Sequence, residues 1–143
     1  MTKPQLLFDA NAIFRLIREY PDDASDKLNE GSTIYLAYYE LGNALWRECF
    51  LLKRISLEDA ERSLDFMYTI LARMQVSSLD NEGGSSAFNV ACKFNLTFYD
   101  STYLAESKKS NKILVTDDKK LAKAAEKFGV KTISSIDSEE NHT

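Results

Sequence analysis

Four segments of the chain place acidic residues beside apolar runs. Asp9 lies between two apolar runs in LLFDANAIF, Glu40 lies in YYELGNALWR, and Asp100 lies in NLTFYDSTYLA. The fourth segment, ILVTDDKKL, carries Asp117 and Asp118 directly after an apolar run and a threonine. A carboxylate with apolar neighbours on both sides is costly to remove from water unless it has a partner. The acids are therefore the first candidates for chemistry.

Several carboxylates gathered at one place repel one another, and a divalent cation removes that repulsion. Oxygen donors without histidine or cysteine favour a hard ion, Mg²⁺ or Mn²⁺. Such an ion can activate water and stabilise the leaving oxygen of a phosphodiester. The single histidine, His142, lies in a polar C-terminal segment, and the two cysteines match no zinc spacing. This inventory argues against Ser-His-Asp, Cys-His and His-ligated zinc chemistry.

The elements that must position these acids alternate between strands and helices. Apolar and β-branched runs predict strands at 5–8, 33–37, 76–79, 112–116 and 130–134. Apolar residues at helical spacing predict helices at 11–19, 22–31, 38–53, 57–74, 85–94, around Tyr103 and at 118–128. The segment DNEGG (80–84) is predicted to be a loop.

This alternation predicts an α/β fold, a parallel sheet covered by helices on both faces. In such sheets ligands bind beyond the carboxyl ends of the strands. Asp9, Glu40 and the pair Asp117 and Asp118 each follow a predicted strand. The topology therefore predicts that these acids meet at one edge of the sheet.

The composition sets outer limits on function. The chain has 143 residues and a formal net charge of −4, which argues against bulk, non-specific binding to duplex nucleic acid. No apolar run approaches the roughly 20 residues of a membrane span, and no signal peptide is recognised at the N-terminus, so the cytoplasm is the predicted compartment. We predict one domain over residues 1–136 and a disordered tail over 137–143, DSEENHT.

Single members of the acidic set have simpler explanations. An aspartate after a strand is often a helix N-cap, and for Asp118 alone this explanation is at least as good as metal binding. Glu40 alone is better explained as a surface or ion-paired residue. Asp9 is harder to explain in this way because both of its flanks are apolar.

The four acidic segments together resemble the four acidic motifs of the PIN-domain family in order, spacing and flanking residues. The resemblance covers residues 5–134 and is greatest to the VapC-type toxins of prokaryotic toxin–antitoxin pairs. It implies a single Rossmann-like α/β/α PIN domain with a central parallel sheet flanked by helices. It also implies an endoribonuclease that depends on Mg²⁺ or Mn²⁺ and hydrolyses single-stranded or loop RNA.

The resemblance further implies roles for individual residues. Asp9, Glu40 and Asp100 fall on the first three acidic positions, and the T-x-D pattern of the fourth gives Asp118. The metal would be held chiefly by Asp9 and Asp100, while Glu40 and Asp118 orient water or complete a second metal site. The residues expected to support them are Thr116, Asp117, Asn11 and Asn43. Of these, Asp117 is also the alternative candidate for the fourth acid.

A cognate antitoxin and a homodimer are the protein partners that the resemblance implies. Apolar side chains expected to be partly exposed at an interface are Trp46, Phe50, Phe66 and Tyr68. Candidate RNA contacts are Arg15, Arg18, Arg47, Lys119, Lys120 and one of the neighbouring Tyr38 and Tyr39. The alternative functions are a PIN endonuclease of ribosomal RNA processing or RNA quality control, a receiver-type signalling module, and a non-catalytic PIN-fold binding module.

Overall fold

The computed structural model describes residues 5–140, and within this range the chain forms one sheet of parallel strands. The strands are β1 (Leu6–Phe8), β2 (Ser32–Ile34), β3 (Gln75–Ser77), β4 (Ile113–Val115) and β5 (Thr132–Ile133). Their order in the sheet is β3-β2-β1-β4-β5, so β1 is central. Leu7 pairs with Ser32 on one side and with Leu114 on the other.

Helices cover both faces of this sheet. They are α1 (Ala10–Glu19), α2 (Pro21–Asn29), α3 (Leu36–Trp46), α4 (Leu57–Leu71), α5 (Asn81–Phe94), α6 (Phe98–Ser110), α7 (Lys119–Phe128) and α8 (Ser135–Glu140). A π-helical turn over Arg47–Leu51 continues α3. No helix in the described range is both long and apolar enough to cross a membrane.

The two faces of β1 divide the core into two parts. Side chains alternate across a strand, so Phe8 packs in a cluster with α1 to α4, whereas Leu7 packs in a second cluster with α5, α6 and α7. Both side chains are fully buried. The predicted α/β/α arrangement with a central parallel sheet is confirmed.

The segment 80–84 is the clearest error among the predicted elements. It is not a loop, because α5 begins at Asn81 and includes Gly83 and Gly84. The Asp80 side chain is the N-cap and accepts a hydrogen bond from the backbone N–H of Gly83 at 2.7 Å. This cap satisfies an N–H group that the first turn of a helix otherwise leaves without a partner, which compensates for the low helix propensity of glycine.

The predicted disordered tail is wrong for residues 137–140, which belong to α8. The Ser134 hydroxyl oxygen accepts from the backbone N–H of Asp137 at 3.0 Å, and the buried Ser138 hydroxyl donates to the Ser135 carbonyl at 2.7 Å. These local bonds, together with packing against α1, hold a polar segment in helical form. The rest of the predicted tail, residues 141–143, lies outside the described residues.

Candidate active site

Asp9 joins the central strand to the first helix. It follows β1 and caps α1, with its Oδ1 accepting from the backbone N–H of Ala12 at 2.8 Å. Only 6% of the residue is exposed. Burial is the main cause that raises the pKa of Asp9 to about 6, and the charges of Asp117 and Glu40 add to it. Hydrogen bonds from the Thr116 hydroxyl and from the Ala12 amide oppose the rise in this pKa.

Glu40 is held by a buried tyrosine. It lies on α3, and its Oε1 accepts from the hydroxyl of Tyr103 on α6 at 2.6 Å. Burial raises the pKa of Glu40, and the nearby charge of Asp100 adds to this effect. Burial and the Glu40 carboxylate raise the pKa of Tyr103, so the phenol stays protonated and acts as a donor.

Sequence reasoning placed Tyr103 only in an apolar helical stripe and missed its contact with Glu40. The available signal was its position three residues after Asp100, because residues three apart lie on the same side of a helix. Buried tyrosines usually have a partner for the hydroxyl group. A tyrosine on the side of α6 that carries a site acid was therefore a candidate to bind another acid.

Asp100 and Asp118 each lie at the beginning of a helix. Asp100 is in the first turn of α6, where its backbone N–H donates to the Thr97 hydroxyl oxygen at 3.1 Å. Burial raises the pKa of Asp100 and the charge of Asp118 adds to it, whereas Lys120 lowers it. Asp118 caps α7, and its Oδ1 accepts from the backbone N–H groups of Lys120 at 2.9 Å and Leu121 at 3.1 Å.

Asp117 has a structural role instead of facing the other acids freely. Its Oδ1 accepts from the backbone N–H of Ser135 at 2.9 Å, and its Oδ2 accepts from the Ser135 hydroxyl at 2.7 Å. Arg15 Nη1 lies 3.5 Å from the same Oδ2. Asp117 therefore joins the end of β4 to α8, while Asp118 uses one oxygen as a cap and its Oδ2 forms no hydrogen bond within residues 5–140.

The acids form a chain of neighbours along the carboxyl edge of the sheet. Charge effects on pKa connect Asp9 with Glu40, Glu40 with Asp100, and Asp100 with Asp118. In the described part of the chain, however, no three Asp, Glu, His or Cys side chains are grouped so that they could hold a metal ion by themselves. Mg²⁺ is usually bound by one or two carboxylates together with water, so the pairs present fit a hard divalent ion in chemistry and in charge.

A cavity of about 620 Å³ opens beside Glu40, and we call it the Glu40 cavity. Both predicted supporting amides, Asn11 and Asn43, line it. The remaining predicted support, Thr116, is buried, and its hydroxyl oxygen accepts from the backbone N–H of Asp118 at 3.1 Å. Other residues that line the cavity are Leu36, Tyr39, Ala44, Arg47, Glu48, Leu52, Arg54 and Tyr99.

The predicted RNA contacts differ in their surroundings. Arg15 forms ion pairs with Glu19 at 2.6 Å and with Asp117. Arg18 forms a bidentate ion pair with Glu48. Arg47 lines the Glu40 cavity, and Lys119 and Lys120 are exposed at the start of α7. Of the neighbouring tyrosines, Tyr38 packs against the core beside Tyr68, and Tyr39 is exposed.

Comparisons with known proteins find similarity over most of the chain. The PIN domain profile matches residues 6–127. Exonuclease VapC9 of Pyrobaculum aerophilum is 32% identical over 130 residues, which cover 90% of this chain and 92% of that protein. Ribonuclease VapC3 of the same organism is 33% identical over 131 residues, which cover 87% and 95%.

Solved structures share the fold. The crystal structure of PAE2754 from Pyrobaculum aerophilum has a TM-score of 0.75 and 26% identity, covering 96% of this chain and 98% of that one. The crystal structure of DNA-bound VapBC from Salmonella typhimurium has a TM-score of 0.68 and 15% identity, covering 93% and 99%. At 15% identity, the similarity to the Salmonella structure is one of fold.

Proposed function

The chain belongs to the PIN-domain family, and from this we propose that it is a metal-dependent endoribonuclease, the toxin of a toxin–antitoxin pair. The observation that carries the proposal is the buried Asp9, which lies in a row of acids with Glu40, Asp100 and Asp118 at the carboxyl edge of the sheet. The two relatives that match nearly the whole chain are named as VapC nucleases. This supports nuclease activity.

The proposed cofactor is Mg²⁺ or Mn²⁺, held chiefly by Asp9 and Asp100. The donor set supports this choice, because it contains only oxygen ligands and includes carboxylates whose pKa values are raised by burial and mutual repulsion. When bound, the ion would lower the pKa of a water molecule and offset the charge of a scissile phosphate. Asp118, whose Oδ2 has no hydrogen bond within residues 5–140, is the proposed fourth acid.

The protein residues around these acids have separate tasks in this proposal. The Tyr103 hydroxyl fixes one oxygen of Glu40, which leaves the other oxygen to orient the attacking water or accept its proton. The Thr116 hydroxyl holds Asp9. Asn11 and Asn43, which line the Glu40 cavity, offer amide groups to the RNA backbone.

A cognate antitoxin is the proposed protein partner. Several large apolar side chains between α3 and α4 are exposed, Trp46 stacks on Phe50, and Leu52 lines the Glu40 cavity. The exposed apolar residues are Trp46, Phe50, Leu51, Leu52, Leu57 and Phe66. An apolar surface of this kind is typical of a protein interface, and we propose that the antitoxin covers it while a homodimer forms elsewhere on the surface. Several solved structures with this fold are VapBC or other toxin–antitoxin complexes, which supports a partner of this kind.

Cleavage of a circular single-stranded RNA tests the enzymatic proposal, because a circle is opened only by an endonuclease. We expect linear products with Mn²⁺ or Mg²⁺, none with EDTA, and none with Asp9→Asn. Asp80→Asn is the matched control, because Asp80 also caps a helix but lies outside the row of acids. Degradation of linear RNA alone would indicate an exonuclease. Absence of cleavage of either form by folded protein would favour a binding module.

Co-expression tests the partner proposal. We expect the chain to inhibit growth when it is expressed alone, and the product of an adjacent open reading frame to relieve the inhibition and co-purify with it. Trp46→Ser should weaken that co-purification, whereas Arg62→Ser, an exposed substitution on α4, should leave it unchanged. Full growth on expression of active nuclease would contradict the toxin assignment.

A further inference from the structure

We infer that the Glu40 cavity is a subsite for one unpaired nucleotide of the RNA, with the base stacked on Tyr39 or Tyr99 and a phosphate paired with Arg47 or Arg54. The inference rests on the proposed ribonuclease function and adds to it the residues that hold the substrate beside the acids. Its basis is that one cavity is lined by Glu40, by two exposed tyrosine rings and by two arginines that form no ion pair within residues 5–140.

The two tyrosines stand beside the acids in sequence and in space. Tyr39 directly precedes Glu40 on α3, and Tyr99 directly precedes Asp100 on α6. They are 76% and 62% exposed. Among the described residues neither ring forms an aromatic pair, in contrast to Tyr38, which packs against Tyr68 at 4.9 Å between ring centroids. Such unpartnered rings provide faces on which a base of any identity can stack.

The cations of the cavity are also available. Within residues 5–140 neither Arg47 nor Arg54 forms an ion pair. Besides Glu40, the other acid that lines the cavity is Glu48, which is already paired with Arg18 through two hydrogen bonds. A polyanion can approach a row of carboxylates only where positive charge offsets the repulsion, and guanidinium groups match phosphate in shape and charge.

The backbone fixes the position of Arg54. Its N–H donates to the Glu48 carbonyl at 2.8 Å, directly after Lys53, which has a left-handed backbone conformation with φ of 53°. The chain is therefore turned back toward the π-helical turn that begins at Arg47. The two arginines flank the same cavity as a result of this turn, and not only because of their long side chains.

A nucleotide fits this lining better than a peptide does. The cavity presents two guanidinium groups, two amide side chains and two phenol rings, a set that suits a phosphate and a planar base. The second cavity, of about 390 Å³, shares Tyr99 with the Glu40 cavity and carries Lys108 and Lys109, but none of the four acids lines it.

The test measures binding and cleavage with the same RNA. Fluorescence anisotropy in EDTA measures the binding of a labelled eight-nucleotide single-stranded RNA to the full chain. Cleavage of the same RNA with Mn²⁺ gives kcat and KM. We expect Tyr39→Ala and Tyr99→Ala to weaken binding about fivefold to a hundredfold and to raise KM more than they lower kcat. Arg47→Ala should weaken binding and reduce its dependence on salt concentration.

Matched controls separate the cavity from general surface effects. Phe88→Ala removes an exposed ring on α5 outside the cavity, and Arg62→Ala removes an exposed arginine on α4. Both should bind within about twofold of wild type. Tyr39→Phe keeps a ring that can stack and should restore wild-type binding. An RNA with abasic sites should bind wild type more weakly and lose the difference between wild type and Tyr39→Ala.

The possible outcomes lead to different conclusions. Wild type that binds and cleaves the RNA, with cavity variants that match it in both affinity and KM, would overturn the subsite and leave the nuclease standing. Wild type that neither binds nor cleaves would overturn the proposed function together with the subsite. Cavity variants that bind RNA normally but lose an antitoxin would assign the cavity to a peptide instead.

Discussion

Replacement of Asp9 by asparagine should make the metal-free protein more stable at neutral pH while abolishing its activity. Folding raises the pKa of this carboxyl from 3.8 to about 6, so the ionised form is disfavoured in the folded state. The rise corresponds to about 3 kcal/mol of stability lost at pH 7.5. Asparagine caps helices as well as aspartate does, but its additional N–H group in a buried site costs about 1 kcal/mol. We expect a net gain of about 2 kcal/mol.

The pH dependence gives the sign of this effect. Below pH 3.8 the carboxyl is protonated in both the folded and the unfolded state, and Asp9 carries no penalty. Between 3.8 and about 6 the folded state keeps its proton after the unfolded state has lost it, so stability falls as pH rises. Above about 6 the penalty is constant. About 2 kcal/mol of it should therefore disappear when pH is lowered from 7.5 to 4.5.

Urea denaturation in EDTA at both pH values measures the difference between wild type and Asp9→Asn. Asp80→Asn is the control, because Asp80 caps α5 on the surface and its pKa is lowered by the Gly83 amide and Lys109. This substitution should give no gain in stability. If Asp9→Asn is less stable than wild type at pH 7.5, or if its advantage does not change with pH, the penalty attributed to burial of Asp9 is refuted.

Three further predictions concern residues around the site. Tyr103→Phe removes the hydroxyl that binds Glu40 and should lower the single-turnover rate of RNA cleavage about tenfold; an unchanged rate would contradict the positioning role. Asp117→Ala removes the acceptor for Ser135 and should lower the free energy of unfolding by about 1–3 kcal/mol, with faster amide exchange in α8. Protection of α8 equal to wild type would contradict the role of Asp117 in joining β4 to α8. Lys53 has a left-handed backbone conformation, so Lys53→Gly should raise the free energy of unfolding by about 0.5–1 kcal/mol in urea denaturation. A loss of stability would show that the Lys53 side chain stabilises the turn.

The sequence predicted well those features that depend on local pattern. The alternation of strands and helices predicted the three-layer fold, and the apolar flanks of Asp9 predicted its burial, because both follow from which side chains must avoid water. The predicted end of the helix at residue 128 is confirmed, because α7 ends at Phe128 and is followed by Gly129 with a positive φ.

Features that depend on contacts distant in sequence were less accessible. Nothing near Glu40 indicates that its partner is Tyr103, 63 positions later. The pairing of Arg18 with Glu48 and of Asp117 with Ser135 likewise becomes visible only when α1, the π-helical turn and α8 are packed together. The polar α8 segment has no apolar stripe, so its order depends on capping bonds and on this packing.

The π-helical turn has a consequence for how chain length can vary in this family. A π turn holds one more residue than an α-helical turn, and it is equivalent to a single-residue insertion within a helix. Deletion of one residue between Arg47 and Leu51 would therefore restore regular α-helical bonding. A deletion within a regular α-helix disturbs the helix instead. Because the wider π turn absorbs its extra residue locally, the segment beyond it would keep nearly its present direction relative to α3, and Arg54 would stay beside the cavity. The chain length can thus change by one residue at this turn while the same cations remain beside Glu40.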